Sequence, residues 1–496
     1  MQEELQTYII AMSIPNYVQN ILDILELHGF EAYIVGGCVR DSLLGLKPKD
    51  WDITSNAKPT QIQQIFNNAK YKEHFNILPI GLKYGTLGII NKKTKQVVEI
   101  TTYRTDGIYK DGRHPDSIHF ATTIKDDLSR RDFTINALAC KQIKKEYKKT
   151  QILKTLTIPI HYKSEINTKQ HNIDSTKTCY MQLVDYYNGL MHLKMRNIEC
   201  VGQAEKRFLE DSLRIIRAIR FSAVLPFEFT LNSETKQALN TLTKRLKYIA
   251  KERIQIEFSK LLCGQYAHNV LPIYQNTIFF IMPILKHLTQ EQLQYNYKAI
   301  SLAPKNIIFR LVLLCCPIPY TKSICDNIDD YLMQYKTILK CLRFDKKTIQ
   351  TSLIILKLTC NGTLLNNSKI ELKYLLLQYD IQIVCQLINL YAILQKTYEF
   401  ISYNNKDPIN NTTKIYNLTH NLTTIIINNE CYKLSQLEIN GNILQDVAKS
   451  MDIQLQGRQV GTLLKKILKD VVEEKIPNNK STLIEKSKNY IINHYK

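Results

Sequence analysis

The sequence predicts an α+β protein: a small mixed sheet with helices over residues 1–193, followed by an all-helical remainder. Three observations predict it. Residues 31–54, EAYIVGGCVRDSLLGLKPKDWDIT, read as strand, tight turn, helix, strand. The apolar run Ala32 to Val35 stops at Gly36-Gly37, and an extended segment resumes at Asp50-Trp51-Asp52-Ile53. Two further strand-like segments, Tyr84 to Asn91 and Lys95 to Thr102, are joined by the polar run NKKTK as a hairpin. From about residue 275 to 400 the texture changes to helical apolar periods, as in IIFRLVLLCC and IVCQLINLYAIL, with no repeat of fixed period.

Taken in order, residues 3–30 carry apolar positions at helical spacing, interrupted at Pro15, and predict two packing helices. Ala57 to Asn68, with Pro59 at its start, predicts another helix. DGIYKDGRHPDSIHF is rich in Gly, Asp and charge and reads as a loop, either mobile beside the site or a plain surface connection. In DDLSRRDFTINALA, residues 126–139, Leu128, Phe133, Ile135 and Leu138 are expected inside, with Arg130, Arg131, Asp132 and Asn136 forming surface ion pairs. Pattern dissolves from Lys141 to Tyr180 and resumes at LVDYYNGLMHL. Residues 403–430, dominated by Asn and Thr, are expected to be a loop or linker, and the C-terminal part ends in a basic amphipathic helix carrying Lys465, Lys466 and Lys469.

Composition narrows the class. Hydrophobic content of 44% and charged content of 22% are ordinary for a globular chain of 496 residues, but a formal charge of +21 is not. Spread along the sequence rather than held in a tail, it favours an anionic partner such as nucleic acid, a Lys- and Asn-rich coding bias being the competing explanation. The 12 cysteines form no C-x-x-C pair, which fits reduced, buried thiols and no structural zinc. No apolar run approaches the ~20 residues of a membrane helix, and the acidic start lacks a signal pattern, so a soluble, cytoplasmic protein is expected.

The chemistry concentrates in two stretches. Successive side chains of an extended segment alternate faces, so Asp50 and Asp52 project from one side. Two such carboxylates repel unless a cation sits between them, and magnesium prefers these oxygen ligands and brings substrate phosphates with it. Gly36 and Gly37 let backbone amides approach a triphosphate, with Arg40 near enough to neutralise it. In QAEKRFLEDSLRIIRAIRFSA, residues 203–223, one helix would bury Phe208, Leu209, Ile215, Ile216 and Ile219 and leave Asp211, Arg214, Arg217 and Arg220 on an open face. Further on, the charges of Glu252, Arg253 and Glu257 read as helix-stabilising ion pairs.

VGGCVRDSLLG…KDWDIT, RRDFTINA, LVDYYNGLMHL, RFLEDSLRIIRAIRF and KERIQIEF, in this order, resemble the motifs of class II tRNA nucleotidyltransferases, the CCA-adding enzymes, and of the related bacterial poly(A) polymerases. One departure is His192, where an Asp is usual. The resemblance implies a nucleotidyltransferase head at 1–193 with an insertion at about 141–180, a helical neck at 194–275, a body at 276–402 and a tRNA-binding tail at 403–496. It implies that CTP and ATP are added to tRNA 3′ ends without a nucleic-acid template, by two magnesium ions on Asp50 and Asp52, with Glu99 as a third carboxylate. Gly37 and Arg40 would steady the triphosphate, and Arg131, Asp132 and Asn136 would recognise the ribose. Asp211 and Arg214 would read the base edge, while Arg217 and Arg220 would hold the nucleotide. No protein partner is implied, a homodimer being left open. The alternatives are a poly(A) polymerase, an A-adding enzyme, and a non-catalytic RNA-binding protein on the same scaffold.

Overall fold

The computed structural model describes residues 6–107, 117–143, 176–317, 327–361, 368–401 and 409–495. Contacts divide the chain into two units, Met1–Phe280 and Ile281–Lys496.

The first unit is built on an eight-stranded mixed sheet of order β1-β10-β9-β2-β3-β6-β5-β4. Its strands are β1 (Gln6–Pro15), β2 (Ala32–Val35), β3 (Trp51–Ser55), β4 (Phe75–Leu78), β5 (Thr86–Asn91), β6 (Val97–Thr102), β9 (Leu138–Gln142) and β10 (Thr176–Asp185), with a separate ribbon of β7 (Arg104–Asp106) and β8 (Ile118–Phe120). Strands β3 and β6 run parallel, and the other neighbours in the sheet are antiparallel. All four residues of β2 are buried, as expected of a central strand covered on both faces.

The expected hairpin is present as β5 and β6. The segment before Pro15 is not the expected helix: it is β1, paired along its whole length with β10. Ile10, Met12 and Ile14 are buried while Ala11 and Ser13 are exposed, a period of two that wins once a partner strand is available. Pro15 then stands before α1 (Asn16–Leu27), whose Val18, Ile21, Leu22 and Leu25 are buried. The charged loop after Asp106 and the aperiodic stretch from Lys141 fall largely outside the described residues; β7 and β8 flank the first, β9 and β10 the second.

Helices α2 (Gly37–Leu43), α3 (Pro59–Asn67), α4 (Ala69–Lys72), α5 (Ile124–Ser129) and α6 (Gly189–Lys194) accompany the sheet. Helices α7 (Ala204–Glu210), α8 (Leu213–Val224), α9 (Ser233–Leu242), α10 (Lys251–Leu262), α11 (Ala267–Ile273) and α12 (Gln275–Ile281) follow, with the short pair β11 (Asn197–Ile198) and β12 (Thr230–Leu231) between them. Helix α8 packs on α10 and α11.

The second unit is helical. Its described helices are α13 (Gln290–Leu302), α14 (Ile307–Cys315), α15 (Ile328–Cys341), α16 (Lys346–Cys360), α17 (Lys369–Gln378), α18 (Ile381–Ile401), α19 (Ile409–Ile427), α20 (Gly441–Lys449), α21 (Gly457–Val472) and α22 (Lys480–Tyr495). Helix α19 corrects the expected linker. Leu418, Leu422 and Ile425 form a buried stripe, and the hydroxyls of Thr419, Thr423 and Thr424 donate to carbonyls one turn back, so the threonines are absorbed into the helix. Leu444, Leu463, Ile467, Leu483 and Ile491 close a separate core among α20, α21 and α22. Among the described residues no helix is long and apolar enough to cross a membrane.

Candidate active site

The chain leaves β2 through Gly36, whose φ of +81° favours glycine. A side chain there would also collide: its Cβ would stand 2.9 Å from Arg131 Nη1 and 3.9 Å from Asp52 Oδ2. The notch at the start of α2 is therefore lined by a bare backbone, a guanidinium and a carboxylate. Asp50 lies exposed just before β3 and Asp52 is partly buried within it. The parallel register sets Glu99 of β6 directly beside Asp52, the neighbour that the resemblance implies for it. Burial raises the Asp52 carboxyl to about 6 and repulsion from Glu99 and Asp50 adds to the rise, with Arg131 pulling the other way.

The donor chemistry fits a hard divalent cation: Asp52 is near enough to Glu99 and Asp50 for their repulsion to raise it, and Arg131 is the cation that opposes the rise. Among the described residues no group of three or more His, Cys, Asp or Glu is placed to hold a metal ion, so any cation here would rest on fewer protein ligands. Two carboxylates with room for phosphate oxygens are what magnesium uses, since it keeps part of its shell for water and substrate.

Behind this edge runs a continuous polar chain. Arg40 donates from Nη1 to Asn136 Oδ1 at 2.5 Å and from Nε and Nη2 to Asp41. Asn136 Nδ2 donates to Asp132 Oδ1 at 3.0 Å, and Arg217 donates twice to Asp132 Oδ2, at 2.9 and 2.5 Å. Glu257 on α10 lies 3.7 Å from Arg217 Nη1 and 2.6 Å from Arg220 Nε. Phe221, buried on Phe133, lies under the guanidiniums of Arg40, Arg217 and Arg220, 4.0 to 5.5 Å from its ring centroid. Asp132 and Asn136 are thus buried and bonded inward, where surface ion pairs were expected. Despite burial, Arg217 and Asn136 hold the Asp132 carboxyl well below its ordinary range. Burial lowers the Arg220 guanidinium to about 10 against the pull of Glu257, with Arg217 and Arg40 adding to the fall.

The expected single helix over 203–223 is two. Asp211 is extended, at φ −130° and ψ 101°, and with Ser212 it separates α7 from α8. The break turns Arg214 inward: it is 8% exposed and donates to the carbonyls of Arg207 and Arg130 and to Glu210 Oε2 at 2.9 Å. The open row of arginines is corrected accordingly, since Glu210, Asp132 and Glu257 supply the acids that one helix face alone did not show. Asp211 is partnered from α10, its Oδ2 lying 3.4 Å from Arg253 Nη2.

Sequence reasoning missed Arg253 and Glu257 as members of the site, reading them as pairs within their own helix. Their spacing of four puts both on one face, the only signal available. It also missed Asp127, fully buried, which accepts from Thr54, Arg130 and Arg131 and so fixes the guanidinium that faces Gly36. His192 is buried as well, its Nδ1 2.8 Å from Thr134 Oγ1.

Comparison with known proteins accords with this geometry. Residues 32–153 match the family model described as the poly A polymerase head domain, and residues 228–277 match one described as a probable RNA and SrmB-binding site of polymerase A. A CCA-adding enzyme of Leuconostoc citreum is 38% identical over 255 residues, 51% of this chain and 51% of that protein, so the match spans about half the relative's length. One of Staphylococcus haemolyticus is 29% identical over 480 residues, covering 95% of this chain and 96% of the relative. The Bacillus stearothermophilus CCA-adding enzyme, solved in complex with CTP, superposes with a TM-score of 0.62 at 22% identity, over 96% of this chain and 98% of that one, and shares the fold. The residues around Gly36 and Asp52 thus fall within the match to the poly A polymerase head domain, and the similar CCA-adding enzymes include one aligned over nearly its full length.

Proposed function

We propose that this protein is a CCA-adding tRNA nucleotidyltransferase: the 3′-hydroxyl of a tRNA attacks the α-phosphate of CTP or ATP and pyrophosphate leaves, with no nucleic-acid template. The observation that carries the reading is the Asp52–Glu99 pair set in register beside the Gly36 notch, with Arg131 between notch and carboxylate. The assignment of head (1–193), neck (194–275), body (276–402) and tail (403–496) belongs to the same proposal.

Asp50 and Asp52 would hold magnesium, which when bound lowers the pKa of the attacking hydroxyl and stabilises charge on the leaving group. The backbone at Gly37, with Arg40 and Arg131, neutralises the triphosphate, and Arg131 is kept aimed by Asp127. Glu99 adds negative charge on the hydroxyl's side of Asp52. Asp132 and Asn136 meet the ribose from their place in the polar chain, and Arg217 and Arg220 hold the nucleotide over Phe221. Asp211 accepts from the exocyclic amino group of cytosine or adenine and Arg214 donates to the ring nitrogen; guanine and uracil present mismatched carbonyls there. Arg214 exchanges its carbonyl contacts for the base when it does so.

The test is extension of a tRNA transcript lacking its 3′ end, with magnesium and each nucleoside triphosphate supplied singly and together. Two C residues and one A, then a stop, is the expected result. Addition of A alone to tRNA ending in CC makes it an A-adding enzyme, a long A tract on unrelated RNA a poly(A) polymerase, and binding without extension a non-catalytic protein.

A further inference from the structure

The sheet face that carries the carboxylates continues past them. In antiparallel pairs directly opposed residues share a face, and residues two apart along a strand do so too. From Asp52 the face therefore runs through Glu99 and Val97 on β6, Gly88 and Ile90 on β5, and Leu78 on β4. Gly88, opposite Glu99, has no side chain of its own. A Cβ there would stand 2.9 Å from Ile80, 3.3 Å from Val97 and 3.4 Å from Leu78, so these three side chains meet over the bare backbone. All three are nevertheless open to solvent, Leu78 at 40%, Ile80 and Val97 at 37%. Three large apolar side chains exposed together beside these carboxyl groups form a patch of the kind that a ligand or partner often covers.

The order of strands says what does. The phosphate notch lies at the end of β2, the carboxylates on β3 and β6, and the apolar shelf on β5 and β4, so notch and shelf are on opposite sides of the carboxylates. In a phosphoryl transfer the entering and leaving oxygens are roughly in line. If the pyrophosphate leaves over the notch, the attacking hydroxyl enters from the shelf side. Strand β4 is two strand spacings, ~10 Å, from β6, a span one nucleoside covers. A nucleoside presents an apolar base face to such a shelf with little regard for which base it is.

We propose that Leu78, Ile80 and Val97 form the seat of the acceptor's 3′-terminal nucleoside, holding it by base contact so that its hydroxyl meets Asp52 and Glu99. This rests on the nucleotidyl-transfer reading above. A seat indifferent to base identity suits an enzyme whose acceptor end changes from one addition to the next.

The experiment uses the full chain and a tRNA transcript lacking CCA, with 4-thiouridine as its 3′-terminal nucleotide. Irradiation should cross-link the wild-type protein within residues 75–97. Leu78→Ser, Ile80→Ser and Val97→Ser should each raise the KM for tRNA about tenfold while leaving the KM for CTP and the thermal midpoint unchanged; Leu27→Ser, equally surface-exposed elsewhere, should change neither. Cross-links confined to other segments overturn the proposal whether or not the variants fold. Variants that extend tRNA with wild-type KM overturn it too, as does a change in self-association with unchanged tRNA kinetics, which would make the shelf a contact between copies. Wild-type protein that extends no tRNA defeats the parent reading and takes this one with it, a result distinct from normal extension without the cross-link.

Discussion

Asp132 is only 9% exposed yet ionised, because Arg217, Asn136 and the Phe133 amide supply four hydrogen bonds to its two oxygens. Its folded pKa is depressed below the ordinary 3.8, so the stabilisation is complete above that value and lost as pH falls through the folded one. Acid should therefore weaken the wild-type protein progressively below pH ~4. In Asp132→Asn that component is gone: the thermal midpoint should be lower at pH 7, by about 3 kcal/mol of stability, and flatter than wild type across the acid range. A variant with the wild-type acid slope would assign the slope elsewhere. For Asp52→Asn the expectation is different in kind. The fold and tRNA binding should persist while turnover falls by about a thousandfold or more, and surviving turnover would remove Asp52 from the metal-binding assignment. Alternation in a strand is a local rule, and it singled out Asp52, although Asp50 lies just before the strand; Arg253 and Glu257 were not legible, because each acts through a residue about forty positions away that only the fold brings near, and Asp127 was not, because its burial under Thr54 is set by the fold.

At the scale of elements, the decisive feature is the interruption between α7 and α8. Had residues 203–223 formed one helix, Asp211 and Arg214 would share its exposed face; the extended Asp211 instead places the two on separate elements, one held by Arg253 and the other by backbone carbonyls. Base choice should depend on both holds. Arg214→Ala should relax discrimination between CTP and UTP by about a hundredfold and change triphosphate binding far less. Arg253→Ala should relax it by a smaller factor through loss of the Asp211 orientation. Incorporation assays with each triphosphate in turn check both, and unchanged fidelity in Arg214→Ala would sink the template idea. Periodicity read the burial of Phe208, Ile215, Ile216 and Ile219 correctly across the break, but not that of Leu209, which is 38% exposed because the first helix ends at Glu210 and turns that side chain outward. It misread β1 and α19 for the same reason: a strand needs a partner, here β10 far along the chain, and a threonine-rich helix needs a groove for its one apolar stripe. Neither partner is visible in a window of local sequence.

For the molecule as a whole, the charge of +21 turns the proposed tRNA binding into a quantitative expectation. Each phosphate neutralised by Lys or Arg releases counterions, so log affinity should fall linearly with log salt by roughly 0.7 to 0.9 per contact. Arg214, Arg217 and Arg220 are committed to Glu210, Asp132 and Glu257 and should contribute little to that slope. The exposed lysines remain. On α21, Lys466 lies 4.2 Å above the ring of Tyr490 and 2.6 Å from His494 Nε2, which gives one of these cations a fixed position, and Lys465 and Lys469 stand on the same helix. Replacing Lys465, Lys466 and Lys469 together by Ser should weaken tRNA binding at low salt and reduce the salt slope by about two to three. CTP binding, which on the proposed reading uses residues of the first unit, should be unaltered. Titrating labelled tRNA at a series of salt concentrations measures both quantities. A slope that stays at the wild-type value would mean that this helix meets no phosphate, and that the basic excess acts through other surfaces or reflects composition alone.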